Sequence, residues 1–266
     1  MTMINKDIRV AIAEEDPFAR NFLALLLARD WRTKAIEELD GWEQVLHYLK
    51  HGTEKVDILL IDTDILRNHK DVERELAGIK NMPRIFLIGN HVEEHAFKLF
   101  PATKTMGYVV KKEVGFSIAW ALSLAQNGQW VMTPGVENYA ADLAHRLPDN
   151  CVLLDGRINM TRFTDHELEA ARLALIFSME RRDLANEMDI SEEWSYGLVS
   201  GLYKKMGLEE LLADDAEPEN YPGMNELLMK HVREVASQLK EMRKKPRDME
   251  TLAFHFLTMP YIETCG

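Results

Sequence analysis

Between residues 8 and 128 the chain alternates short apolar runs with amphipathic stretches, and this alternation constrains the fold more than any other feature. Ile8-Arg9-Val10-Ala11-Ile12-Ala13 and Val56-Asp57-Ile58-Leu59-Leu60-Ile61 are nearly continuous apolar runs of strand length, as expected for strands buried on both faces. Further strands are expected at 34–38, 84–88 and 106–110. Between them lie helices from Pro17 and over 42–51, 70–80, 92–100 and 114–127. Asp16 caps the first of these with Pro17 at the opening helical position, and Phe18, Phe22, Leu25 and Leu26 fall on one face. Asp40 and Glu43 make a capping pair for the second. Strands separated by helices imply an α/β domain, a five-stranded doubly wound parallel sheet covered on both sides.

Ligands of such sheets bind beyond the carboxyl ends of the strands. Glu14 and Glu15 follow the first strand, Asp62 ends the third, and Lys111 follows the last. Carboxylates beside one ammonium form a site suited to Mg²⁺ and a phosphoryl group.

The rest of the chain reads differently. Residues 129–160 carry Gly135, Pro134, Pro148 and Gly156 and are read as a linker, with a helical stretch over 136–147. Residues 161–212 form a helical block. Thr164 and Glu167 make a capping box for a helix to about Ser178, a second helix covers 181–188, and Ser191 caps a third over 192–206. A short turn before the third helix suggests a helix-turn-helix. An acidic stretch, 209–222, precedes a helix over 223–245 and a tail. The expected domains are therefore 1–128, a linker at 129–160, 161–212, and a helical C-terminal extension over 223–266.

Ile8–Pro17, Val56–Asp62 and Gly107-Tyr108-Val109-Val110-Lys111 resemble the receiver domain of two-component response regulators, and Gly128–Val136 is similar to the linker of the LuxR/NarL type. Phe163-Thr164-Asp165-His166-Glu167, Asp183-Leu184-Ala185, Ile190-Ser191 and Val199–Leu208 resemble that family's helix-turn-helix domain, with one extra residue between Ser178 and Asp183. The resemblance implies a transcriptional regulator and not an enzyme. It implies Asp62 as phosphoacceptor, Lys111 as the phosphate-pairing lysine, and Glu14, Glu15, Asp62 and the backbone carbonyl of Asp64 as the Mg²⁺ site. It further implies a sensor histidine kinase as phosphate source, homodimerisation and DNA as partners. Two departures stand out. Both acidic residues are Glu, which reaches further than Asp and weakens a site for small Mg²⁺. Gly89 replaces the expected switch Ser/Thr after the fourth strand and has no hydroxyl. Gly89→Thr with Glu14→Asp is expected to strengthen the relay.

The candidate DNA contacts are Ser195, Tyr196 and Ser200 on the third helix, with Lys204, Lys205, Arg181 and Arg182 for phosphates. Charge points the other way. The whole chain has 32 Lys+Arg and 44 Asp+Glu over 266 residues, a net of −12. Residues 151–212 hold 7 basic and 12 acidic side chains, a net of −5. DNA readers are normally basic on the binding face. The alternative is therefore an adaptor that docks a protein through Trp194 and Tyr196. The C-terminal helix is basic, with 7 Lys+Arg against 3 Asp+Glu over 223–247. Apolar stripes on 114–127 or 223–245 are candidate dimer faces.

Cys151 and Cys265 are the only cysteines and are read as reduced thiols of a cytoplasmic protein. No apolar run approaches membrane-spanning length. His91-Val92-Glu93-Glu94-His95 matches an inverted zinc-protease pattern but lies at the start of a short helix, and His47/His51 lie four apart; both are read as surface histidines.

Overall fold

The computed structural model describes residues 8–69, 71–97, 99, 104–143, 147–157, 163–208, 237 and 245–265. It divides into two units, one of residues 1–157 and 260–266 and the other of residues 158–259.

In the first unit the expected alternation is present: β1 (Ile8–Ala13), α1 (Pro17–Arg29), β2 (Thr33–Leu39), α2 (Trp42–His51), β3 (Ile58–Asp62), α3 (Thr63–Leu66), α4 (Val72–Ala77), β4 (Arg84–Gly89), α5 (Glu94–Phe97), β5 (Thr105–Val110), α6 (Lys111–Val114) and α7 (Ile118–Gln126). Asp16 caps α1 as read, accepting from Phe18 N–H at 2.8 Å. β3 is buried at all five positions, and β4 and β5 are nearly so, which is why they read as unbroken apolar runs.

The sheet is larger than five strands. β6 (Trp130–Met132), α8 (Pro134–Asp142) and β7 (Cys151–Asp155) continue it, and β8 (Tyr261–Thr264) closes the edge. The strand order is β2-β1-β3-β4-β5-β6-β7-β8, parallel through β7, with β8 antiparallel to it. The segment read as a linker is therefore a βαβ extension. Pro134 stands at the first turn of α8 and so starts a helix instead of breaking one. Within the tail read as helical, the end is a strand, and helix 223–245 lies outside the described residues.

This extension changes the fate of the helix over 118–126. Every residue of α7 from Ile118 to Ala125 is buried. It is a core helix and has no apolar stripe free for a dimer partner. The helix expected over 70–80 is the shorter α4, and the one over 92–100 is α5.

Cys151 and Cys265 are bonded, with Cα atoms 5.4 Å apart, which corrects the reading of free thiols. They lie one step beyond the Val152–Thr264 pair of the β7–β8 ladder, and Cys265 N–H donates to Cys151 O at 3.2 Å. Antiparallel pairing brings their Cβ atoms within bonding reach.

The second unit is helical: α9 (Asp165–Ala171), a π-helical turn (Arg172–Ile176), α10 (Arg181–Glu187), α11 (Glu192–Lys205) and α12 (Lys245–Leu257). Thr164 and Glu167 form the capping box on α9, and Ser191 Oγ caps α11 by accepting from Trp194 N–H at 3.1 Å. The π turn follows α9 directly, with Phe177 N–H donating to Arg172 O at 3.0 Å. Ala174, Leu175, Ile176, Leu184, Val199, Leu202, Met206 and Leu208 are buried, as are Leu252, Phe254 and Leu257 of α12. Among the described residues no helix is long and apolar enough to cross a membrane.

Candidate functional site

The carboxyl ends of β1, β3 and β5 converge as the alternation predicts. Asp62 is fully buried, and Glu14 is buried beside it. Lys111 Nζ lies 2.6 Å from Glu14 Oε2 and 2.6 Å from Asp62 Oδ2. Asp62 Oδ1 accepts from Asp64 N–H at 2.7 Å, and Glu14 Oε1 accepts from Asp16 N–H at 3.1 Å. The ammonium thus sits between two carboxylates whose other oxygens are held by backbone donors. Burial raises the Glu14 pKa and outweighs the lowering hydrogen bond from Lys111. Burial acts to lower the Lys111 pKa, but the hydrogen bonds to Asp62 and Glu14 prevail and raise it.

Of the predicted Mg²⁺ donors, the Glu14 and Asp62 carboxylates lie together and that of Glu15 does not join them. Glu15 is exposed, because successive side chains past the strand end point to opposite sides. The Asp64 carboxylate turns outward to Arg67, with Oδ1 2.6 Å from the guanidinium. Lys111 fills the gap between the remaining two carboxylates. Among the described residues no group of three or more His, Cys, Asp or Glu is placed to hold a metal ion. As arranged, the Lys111 ammonium occupies the space between the Glu14 and Asp62 carboxylates.

Around Gly89, where a switch hydroxyl was missed, another hydroxyl is close. A Cβ on Gly89 would run into Thr63 Oγ1 and lie 3.0 Å from His91 O and 3.5 Å from Tyr108 Oη. Tyr108 is wholly buried; its hydroxyl accepts from Glu93 N–H at 2.9 Å and donates to His91 O at 3.1 Å. Burial pushes its pKa up to about 12. The loop over 90–93 is fastened further by Glu93, whose carboxylate lies 2.6 Å from Arg67 and 2.7 Å from His91 Nε2. Burial tends to raise the Glu93 pKa, but Arg67, His91 and His95 together lower it. His91 and His95 thus both lie beside the Glu93 carboxylate. His47 and His51 stack with ring centroids 4.9 Å apart.

In the helical unit α11 exposes Glu192, Glu193, Trp194, Tyr196, Gly197, Ser200 and Lys204. Trp194 is 54% and Tyr196 58% exposed, large values for aromatic side chains. Ser195 is fully buried, donating its hydroxyl toward Arg181 O at 3.1 Å and Glu192 O at 2.7 Å. It faces inward with Val199 and Leu202 and cannot read a base, which corrects its place among the contacts. Lys205 is paired with the Glu167 carboxylate, whose pKa it lowers, so its charge is already partly spent. Arg182 and Lys204 are exposed and Arg181 half-buried. Arg243 and Lys244 lie outside the described residues.

The first five strands run in the order 2-1-3-4-5 of a doubly wound α/β sheet, with a buried aspartate and a lysine at the strand ends. The chain is similar to known signalling proteins. No protein-family model matches it. The sensory transduction protein LytR of Staphylococcus epidermidis is 26% identical over 169 residues, covering 59% of this chain and 64% of LytR. The chain therefore spans slightly less than two thirds of that relative's length. Solved structures similar to it include the RcsB response regulator of Salmonella typhimurium, 14% identical, covering 76% of this chain and 93% of that one, with a TM-score of 0.44. A LuxR-family two-component response regulator from Aurantimonas sp. SI85-9A1 is 19% identical, covers 52% of this chain and 99% of that one, and has a TM-score of 0.45.

Proposed function

We propose that the chain is a DNA-binding transcriptional regulator of the response-regulator type, in which an atypical receiver domain governs a helix-turn-helix domain. The observation that carries this reading is the helical unit itself. α10 and α11 are joined by a tight turn, and one face of α11 stands exposed along Tyr196, Gly197, Ser200 and Lys204. A recognition helix enters the major groove in this way. Tyr196 and Ser200 are the candidate base contacts, while Arg181, Arg182 and Lys204 are the candidate phosphate contacts.

Among the described residues three cations per subunit, Arg181, Arg182 and Lys204, are candidate phosphate contacts. Each neutralised phosphate adds roughly −0.9 to the slope of log affinity against log salt, so the slope per subunit is expected near about −3. A homodimer doubles the contacts and fixes the half-site spacing. Lys204→Ala should weaken binding to all sequences alike, whereas Tyr196→Ala should relax sequence preference by about 1–3 kcal/mol at one position. The measurement is fluorescence anisotropy of the full-length protein on genomic fragments over a salt series. No binding to any fragment at low salt would sink this reading. The exposure of Trp194 and Tyr196 beside Glu192 and Glu193 favours a second reading, an adaptor that docks a protein on the same face.

For the receiver we propose Asp62 as the phosphoacceptor and Lys111 as its ammonium partner, with a sensor histidine kinase as donor. The Lys111 bridge leaves little room for a divalent ion. Modification of Asp62 by acetyl phosphate should therefore be slow and nearly insensitive to millimolar Mg²⁺. Intact-mass spectra follow the gain of one phosphoryl group. The same gain in Asp62→Asn would remove Asp62 from this role, and strong Mg²⁺ dependence would remove the Lys111 argument.

A further inference from the structure

The cystine is placed where its loss would act on one strand alone. β8 is four residues long, forms the edge of the sheet and pairs only with β7. Of its side chains Ile262 alone is buried; Tyr261, Glu263 and Thr264 are exposed. A four-residue edge strand with one buried side chain is weakly held without a covalent link. Cys151 and Cys265 stand 114 residues apart in sequence and enclose the whole helical unit between them.

We propose that Cys151–Cys265 is a thiol–disulfide exchange site, a redox clasp that holds β8 in the sheet when oxidised and releases it when reduced. The ligand class is a dithiol. Cys265 is partly exposed and Cys151 buried, so the incoming thiolate reaches the sulfur of Cys265. That attack forms a mixed disulfide with Cys265 and breaks the Cys151–Cys265 bond, with Cys151 leaving as a thiolate that takes up a proton. The second thiol of the reagent then attacks the mixed disulfide and frees Cys265. Two cysteine thiols are produced, and the dithiol is oxidised to its own disulfide.

The test uses the full-length protein purified without reductant. Alkylation after denaturation should label no cysteine before dithiothreitol and two after it. Hydrogen exchange is then compared between the two states. Amides of residues 261–264 should exchange at least about tenfold faster after reduction, while those of Leu59–Ile61 in β3 stay protected. Cys265→Ser without reductant should match the reduced wild type. If that variant folds poorly, wild type reduced in place gives the same reading. Two labelled thiols in the untreated protein would overturn the proposal. So would unchanged exchange at 261–264 after reduction. Loss of protection at Leu59–Ile61 as well would make the bond a staple of the whole sheet and would equally overturn the clasp.

Discussion

Lys111→Met should lower the unfolding free energy by about 2–3 kcal/mol at pH 7. Breaking a buried ion pair by removing one partner costs about 3–5 kcal/mol, because the other charge is left buried and unpaired. Lys111 keeps 23% of its side chain exposed, against 1% for Asp62, so solvent screens part of that cost. The loss comes from Glu14 and Asp62 facing each other with no cation between them. Replacing Glu14 with Gln in the same chain should therefore restore part of it, which a double-mutant cycle measures. The sign of the pH dependence separates this cause from simple loss of packing. Lys111 has a folded pKa raised above 10.5. Its contribution is complete below pH 10.5 and disappears as pH rises through the folded value, so wild type should lose stability there while Lys111→Met does not. Glu14 has a folded pKa raised above 4.5. The folded state holds that proton more tightly, so the group favours folding increasingly as pH falls through the folded value toward 4.5. Without the lowering hydrogen bond from Lys111 this effect grows, and the deficit of the variant should shrink between pH 7 and pH 4.5. Urea denaturation at pH 4.5, at pH 7 and above pH 10.5 reads it out. A deficit that is the same at all three would assign the loss to packing.

The central sheet was legible because a strand buried on both faces is apolar at nearly every position, and β1, β3, β4 and β5 are short, nearly continuous runs of this kind. The added strands were not. Trp130–Met132 is three residues long, stands between Gly128 and Pro134, and is held by pairing to an existing sheet edge, a non-local interaction that leaves no local signal. The buried state of α7 did leave one: Ile118–Gln126 contains no charged residue, the mark of a helix covered all round.

The pocket was legible in the same uneven way. Asp62, Glu14 and Lys111 follow from the strand ends. Glu15 could have been set aside by alternation alone, since it follows an inward-facing Glu14. Ser195 likewise shares the spacing of Val199, Leu202 and Met206, which marks it as inward-facing. Two other features have no sequence signature. The Lys205–Glu167 pair joins α11 to α9 across the fold. The Asp64–Arg67–Glu93 cluster depends on how the loop after β4 lies over α3.

Gly89→Thr, which the resemblance suggested as a repair of the relay, should instead destabilise the protein by about 2 kcal/mol. Overpacking a filled core costs about 1–3 kcal/mol, and here the first added carbon runs into Thr63 Oγ1 with His91 O only 3.0 Å away. The space that a switch hydroxyl would need already contains one, supplied by the residue after Asp62. Thr63 is buried and so cannot swing to solvent. Thr63→Ala combined with Gly89→Thr should therefore recover most of the loss, because it moves a hydroxyl from one side of the gap to the other with little change in volume. The recovery should not extend to Glu14→Asp, whose side chain contacts Lys111 and not this gap. Thermal and urea melts of the two single variants and the double variant measure the coupling. Additive losses would mean that residues 63 and 89 do not share the space. A recovered double variant would then be the proper background for testing the relay. In it alone a hydroxyl at position 89 stands beside Tyr108 without displacing the loop that Tyr108 holds through His91 O and Glu93 N–H.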